Sequence, residues 1–71
     1  MWRYGYTANG AEYFAKVYDE GSKYGINGGR ISKLQIKMRG VEIYNYDRGE
    51  DVPATTPEAR EALAEVLAKY A

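Results

Sequence analysis

The segment Tyr24–Lys33, with the sequence YGINGGRISK, separates two strand-like halves of the chain and decides how they are organised. Three of its first six residues are glycines, which can take positive φ angles or let another molecule approach the backbone closely. Arg30, Ser32 and Lys33 follow and supply hydrogen-bond donors. Two interpretations are open: a cradle for an anion, or an ordinary long loop between two hairpins.

On the N-terminal side of this segment, aromatic residues occupy every second position at Trp2, Tyr4 and Tyr6. This period of two is typical of a β-strand. Asn9-Gly10 follows, and this dipeptide is a strong signal for a two-residue hairpin turn. Such a turn places Tyr6 opposite Tyr13. It also puts Trp2 and Tyr4 on the same, inward face of the sheet, because strand side chains alternate between faces.

On the C-terminal side, a second hairpin is predicted from strands over Ser32–Met38 and Val41–Tyr46, joined by a turn at Arg39-Gly40. The same alternation places the aliphatic residues inward. It places Tyr44 and Tyr46 outward, beside the lysines of the preceding strand. Aromatic rings among lysines on an open sheet suggest base stacking, although a plain solvated face has the same composition.

The end of the chain carries clear helix signals after a polar connection over residues 47–53. Thr55 or Thr56 can cap the helix, and Pro57 suits its first turn. Apolar residues then recur at helical spacing and predict one buried stripe. The stripe consists of Ala59, Ala62, Leu63, Val66, Leu67 and Tyr70.

These elements predict an α+β fold: a four-stranded antiparallel sheet made of two hairpins, with one C-terminal helix, in the order β-β-β-β-α. Residues 1–71 form a single domain at this length. Four strands span about 19 Å, at ~4.8 Å each, whereas one helix is roughly 10–12 Å wide. Aromatic surface is therefore left uncovered, which predicts a homo-oligomer, most simply a twofold dimer. The alternative is a sheet face that is merely wet.

Composition excludes several functional classes. The chain has no cysteine and no histidine, so it lacks the usual nucleophile–base pairs and zinc ligands. We expect no enzyme activity and no cofactor. Ten basic and ten acidic residues give a formal net charge of zero, which disfavours binding to long nucleic acids. No apolar run is long enough to span a membrane, and the start of the chain does not resemble a signal peptide. The expected location is the cytoplasm.

The candidate ligand site combines the glycine loop with the basic and aromatic residues around it. Arg30, Lys33 and the amides of Gly28 and Gly29 are predicted to take a phosphate, and nearby tyrosines are predicted to stack on a base. The predicted site residues are Tyr24, Asn27, Gly28, Gly29, Arg30, Ser32, Lys33, Tyr44 and Tyr46. The acids Asp47, Glu50 and Asp51 form a weaker candidate for a cation site, and a solvated turn explains them better.

The runs YGINGGRISKL at Tyr24–Leu34 and YDRG at Tyr46–Gly49 resemble a family of small domains of unknown function in Firmicute and phage genomes. This resemblance implies no particular activity. By analogy of size and setting, it favours an oligomeric protein that captures an anionic, nucleotide-type signalling ligand, as in phage anti-defence. The alternative function is a protein–protein interaction module that blocks or bridges a host protein.

Overall fold

The computed structural model describes residues 1–71 as an antiparallel sheet with one helix across a single face. The elements are strands Trp2–Tyr6 (β1), Glu12–Val17 (β2), Ile31–Met38 (β3), Val41–Asp47 (β4) and Glu50–Val52 (β5), and helix Pro57–Lys69 (α1). The strands follow one another across the sheet in chain order. The predicted α+β class, antiparallel sheet and single C-terminal helix are confirmed.

The predicted number of strands is wrong, because the sheet has five strands rather than four. The extra strand, β5, lies in the segment that was expected to be a polar connection. Its three residues are too few to show an alternating pattern, and Glu50 and Asp51 disfavour strands by propensity. β5 forms because the turn after β4 returns the chain alongside that strand and brings Val52 opposite Asn45.

The first hairpin has a different register from the predicted one. The Thr7 amide donates to the Ala11 carbonyl at 2.8 Å, so the loop contains three residues rather than two. Gly10 ends it at a φ of 89°, as in hairpins that combine a type I turn with a glycine bulge. Tyr4 therefore lies opposite Phe14. The predicted inward position of Trp2, Tyr4 and Tyr6 is wrong: a one-residue shift turns these side chains away from the helix.

The second hairpin turns at Arg39-Gly40 as predicted, with both residues at positive φ. A β-bulge follows, however, and Ile36 lies opposite Tyr44 rather than Ile43. One extra residue in a strand moves every later side chain of that strand to the opposite face of the sheet. The predicted outward position of Tyr44 and Tyr46 is therefore wrong. Tyr44 is 0% exposed and lies in the core under α1.

Helix α1 covers the centre of the sheet and buries the predicted stripe. The Thr56 hydroxyl caps it by accepting a hydrogen bond from the Ala59 amide at 3.1 Å. Ala59, Ala62 and Val66 are fully buried. Leu63, Leu67 and Tyr70 pack at the edges of the same core. The helix lies over β3 and β4, so the other face of the sheet stays open.

We call the open face, away from α1, the outer face. Strand pairing arranges its side chains in three rows that run across the sheet. The near row is Trp2, Lys16, Lys33 and Asp47; the middle row is Tyr4, Phe14, Gln35 and Asn45; the far row is Tyr6, Glu12, Lys37 and Glu42. The near row lies at the end of the sheet where the glycine loop joins β2 to β3.

Candidate functional site

The glycine loop folds onto the end of the sheet and satisfies its own backbone. Ile26 enters the core, and a single 3₁₀ turn covers Ile26–Gly28. The Gly28 and Gly29 amides donate to the carbonyls of Gly25 and Ile26, at 3.0 and 2.9 Å. These amides were predicted to bind phosphate, but the loop already uses them. The glycine at position 25 is explained by packing, because a Cβ there would collide with the Gly29 carbonyl oxygen.

Beside this loop, at the near-row end of the outer face, lies a groove of about 500 Å³. It combines basic, aromatic and hydroxyl side chains. The lining residues are Lys16, Tyr18, Glu20, Ser22, Tyr24, Ser32, Lys33 and Arg48. Its volume falls within the range of small-molecule sites in proteins, which is roughly 300–1,000 Å³.

The floor of the groove is built by the pairing of β2 with β3. Lys16 lies directly opposite Lys33, and the next pair is Val17 with Ile31. Ser32 is thus the extra residue of a bulge and is buried beside the groove. Two like charges placed opposite each other destabilise an antiparallel pair. The two salt bridges of the structure both involve Asp47, and Lys16 takes part in neither.

Arg48 reaches the groove from the turn between β4 and β5. Its amide donates to the Ser32 carbonyl at 3.2 Å, which ties that turn to β3. The Asp47 carboxylate lies 3.8 Å from Arg48 Nε and 3.9 Å from Lys33 Nζ. Both cationic side chains are substantially exposed, so these contacts contribute little to stability. Lys33 and Arg48 therefore remain available to an incoming anion.

Two exposed tyrosines stand at the walls of the groove. Lys16 Nζ lies 5.5 Å from the ring centroid of Tyr18, and Lys23 Nζ lies 5.2 Å from that of Tyr24. The neighbouring Lys16 ammonium, together with Ser32 and Lys33, lowers the pKa of the Tyr18 phenol. A lowered phenol pKa indicates that the groove favours negative charge.

Of the predicted site residues, three come together: Tyr24, Ser32 and Lys33 all line the groove. Tyr46 lies next to these three residues but does not line the groove. Its hydroxyl donates to the Tyr24 carbonyl at 3.0 Å. Tyr46 thus holds the loop in place. Tyr44 is buried and its hydroxyl donates to Glu50, so it cannot stack on a ligand. Burial raises the pKa of this phenol well above its usual value.

The other predicted residues lie elsewhere. Arg30 Nε donates to the Tyr70 carbonyl at 3.3 Å, at the end of α1. A basic side chain in that position satisfies a helix-terminal carbonyl and suits the negative end of the helix dipole. Asn27 and Gly29 line a separate cavity of about 190 Å³ beside the end of α1, together with Leu67 and Tyr70. Gly28 lines neither space.

Sequence reasoning missed Lys16, Tyr18 and Arg48 as site residues. Lys16 and Tyr18 join the site through the pairing of β2 with β3. The sequence does not predict the register of this pairing, because residues 18–30 separate the two strands. Arg48 was not among the predicted site residues. Its hydrogen bond to Ser32 depends on how the β4–β5 turn meets β3.

The antiparallel meander, the single helix and the open outer face define a small α+β domain. The chain belongs to a family described as a domain of unknown function, DUF7678, whose model matches residues 1–71. No curated protein and no solved structure matches the chain. Neither helical segment has the length and the apolar character needed to cross a membrane.

Proposed function

We propose that this domain binds a small anionic ligand of the nucleotide type in the groove, without chemical conversion. The observation that carries the proposal is the placement of Lys16 directly opposite Lys33. This arrangement opposes folding, since like charges repel across an antiparallel pair. A phosphate group between the two ammonium groups replaces that repulsion with two charge-assisted contacts.

The remaining groove residues suit the other parts of such a ligand. Arg48 offers a planar guanidinium that can bind phosphate through two hydrogen bonds. The rings of Tyr18 and Tyr24 offer faces on which a base can stack, and each is about half exposed. Glu20 and the neighbouring Asp47 limit the positive field. This balance favours a ligand with few charges over a long polyanion.

Binding without catalysis is supported by the lining of the groove. Its eight residues include one carboxylate, Glu20, and no second acid or imidazole to act with it. General acid–base catalysis most often uses an imidazole or carboxylates held in reach of the reacting atoms. Capture of a nucleotide-type signalling ligand in the cytoplasm, as in phage anti-defence, is the setting that we propose.

The first test compares two arginines in the same backbone conformation. Arg48 and Arg39 both precede glycine in a turn, with φ values of 58° and 54°. Asparagine tolerates this left-handed region, so Arg48→Asn and Arg39→Asn should both fold. We expect Arg48→Asn to weaken the binding of ADP at least about 10-fold, since a hydrogen bond to a charged group contributes roughly 1.5–3 kcal/mol. Isothermal titration calorimetry measures this.

Arg39→Asn is the matched control and should keep the affinity of the unmodified protein, because Arg39 lies in the turn at the opposite end of β3 and β4. Equal losses in both variants would assign the effect to overall charge rather than to the groove. No heat of binding with ADP, AMP or cyclic dinucleotides for the unmodified protein would refute the proposed function.

A second surface supports self-association, which we propose alongside ligand binding. β1 is an edge strand, and Trp2, Tyr4 and Tyr6 are 46%, 66% and 72% exposed. Free edges pair readily with another strand. A twofold axis at Tyr4 would join β1 to the β1 of a second copy, with Trp2 of each copy opposite Tyr6 of the other. The same surface also suits a partner protein, which is the alternative function.

We expect the protein to elute as a dimer in size-exclusion chromatography with light scattering. A lysine on an edge strand opposes strand addition, so Tyr4→Lys should shift the mass to that of a monomer. Val41→Lys is the control, because Val41 is 62% exposed but lies on β4, three strands away from β1. A monomer at high concentration for the unmodified protein would refute the dimer and leave the edge to a different partner.

A further inference from the structure

We infer that the ligand site continues across the outer face to a second ring-binding subsite at Trp2 and Phe14. The ligand class would then be a dinucleotide, linear or cyclic, with a phosphate at Lys33 between its two bases. This inference rests on the proposed function of the groove and specifies its ligand.

The structural basis is a second depression, of about 160 Å³, next to the groove. Lys33 lines both spaces, so a group bound to its ammonium can extend in either direction. Trp2, Phe14, Gln35 and Asn45 line the second depression. Two cavities that share one cationic residue fit a ligand that has one central phosphate and a ring on each side.

The spacing across the near row agrees with such a ligand. Trp2 lies opposite Lys16, and Lys16 lies opposite Lys33, so the tryptophan and Lys33 are two strands apart. At ~4.8 Å per strand their backbones are about 10 Å apart, and both residues line the second depression. Along β2 and into the residue that follows it, the order is Phe14, Lys16 and Tyr18, which is aromatic, cationic and then aromatic. Binding sites for short single-stranded nucleic acids alternate cations and rings in this way.

The second subsite is also held in a fixed shape. Phe14 packs edge-to-face against Tyr4, with ring centroids 5.5 Å apart. Gln35 Nε2 and Asn45 Nδ2 both donate to Glu42 Oε2, at 2.6 and 3.0 Å. With both NH₂ groups held by one carboxylate, the amide oxygens are left to accept hydrogen bonds from a base.

Charge fixes the direction in which the ligand lies. The hydrogen bonds from Gln35 and Asn45 lower the pKa of Glu42, so this carboxyl stays ionised at neutral pH. Glu12 and Glu42 flank Lys37 in the far row and give that row a negative balance. The near row and Arg48 have a positive balance. Phosphate is therefore drawn to the groove end, and the base is left over the middle row.

The test uses the linear dinucleotide pApA and the mononucleotide AMP with three variants. Trp2→Ala should weaken pApA about 10- to 100-fold, the range expected for loss of one stacked base, and leave AMP unchanged. Trp2→Phe keeps a ring and should restore most of the affinity. Val41→Ala is the control for a lost exposed apolar side chain that lines neither cavity, and it should bind both ligands normally. Calorimetry gives each dissociation constant, and circular dichroism confirms that each variant folds.

The outcomes separate this inference from the proposed function. If AMP binds and Trp2→Ala changes neither ligand, or weakens both equally, the second subsite is refuted and the groove stands. If neither ligand binds the unmodified protein, the proposed function itself fails. A pApA affinity no higher than that of AMP would also overturn the inference, because a second stacked ring must add binding free energy.

Discussion

Tyr44→Ala is expected to lower the free energy of unfolding by about 3–5 kcal/mol, the range for truncating a buried aromatic side chain. Tyr44 is 0% exposed and is the largest fully buried side chain in the protein. It lies opposite Ile36 and within the core beneath α1. A domain of this length has a total stability of roughly 4–11 kcal/mol, so the variant should lose a large part of it. Urea denaturation followed by circular dichroism measures the change.

Tyr44→Phe is the matched control, because it keeps the ring in the core and removes only the hydroxyl. That hydroxyl donates to Glu50 at 3.3 Å, and the loss should cost about 1 kcal/mol. The variant should bind ADP with unchanged affinity. A Tyr44→Ala protein as stable as the unmodified protein would contradict the role of Tyr44 in the core. A Tyr44→Phe protein that folds but does not bind would show that the Tyr44 hydroxyl matters to the ligand.

Tyr44 also shows how far the fold can be predicted from the sequence. The helix stripe and the Arg39-Gly40 turn were predicted correctly because their signals are local and strong. The faces of β1 and of β4 beyond Glu42 were not, because strand periodicity has a step of two residues. One bulge after Glu42 and one extra loop residue before Ala11 were enough to exchange the two faces.

The site was predictable only in part, for a related reason. Tyr24, Ser32 and Lys33 were found because they belong to one continuous stretch. Lys16 and Arg48 join them through strand pairing and a turn contact that local sequence does not encode. The glycines that drew attention to the loop serve its packing. Gly25 leaves no room for a side chain, and the amides of Gly28 and Gly29 are already hydrogen-bonded.

Lys16→Glu is expected to stabilise the empty protein and to abolish ligand binding. The substitution replaces a repulsive cross-strand pair with an attractive one opposite Lys33. Such pairs are worth about 0.2–1 kcal/mol, so we expect a gain of roughly 0.5–1 kcal/mol. In the bound state the new carboxylate faces the phosphate of the ligand. Loss of a charge-assisted contact together with this repulsion should weaken ADP at least about 100-fold.

Lys37→Glu is the matched control on the same face. Lys37 lies between Glu12 and Glu42, so the same substitution there places three acids in one row. It should destabilise the protein by up to about 1 kcal/mol and leave the binding of ADP in the near-row groove unchanged. Both substitutions change the net charge by the same amount. Stability changes of opposite sign must therefore come from the positions of the two residues.

The central claim is that the Lys16–Lys33 pair binds an anion. Its most direct test compares the Tm of Lys16→Glu with that of the unmodified protein, each measured with and without ADP. We predict a Tm for empty Lys16→Glu that is about 2–8 °C higher and does not move when ADP is added. The unmodified protein should gain about 2.7 kcal/mol at an ADP concentration 100 times its dissociation constant. A lower Tm for empty Lys16→Glu, together with an ADP-induced rise equal to that of the unmodified protein, would contradict the account.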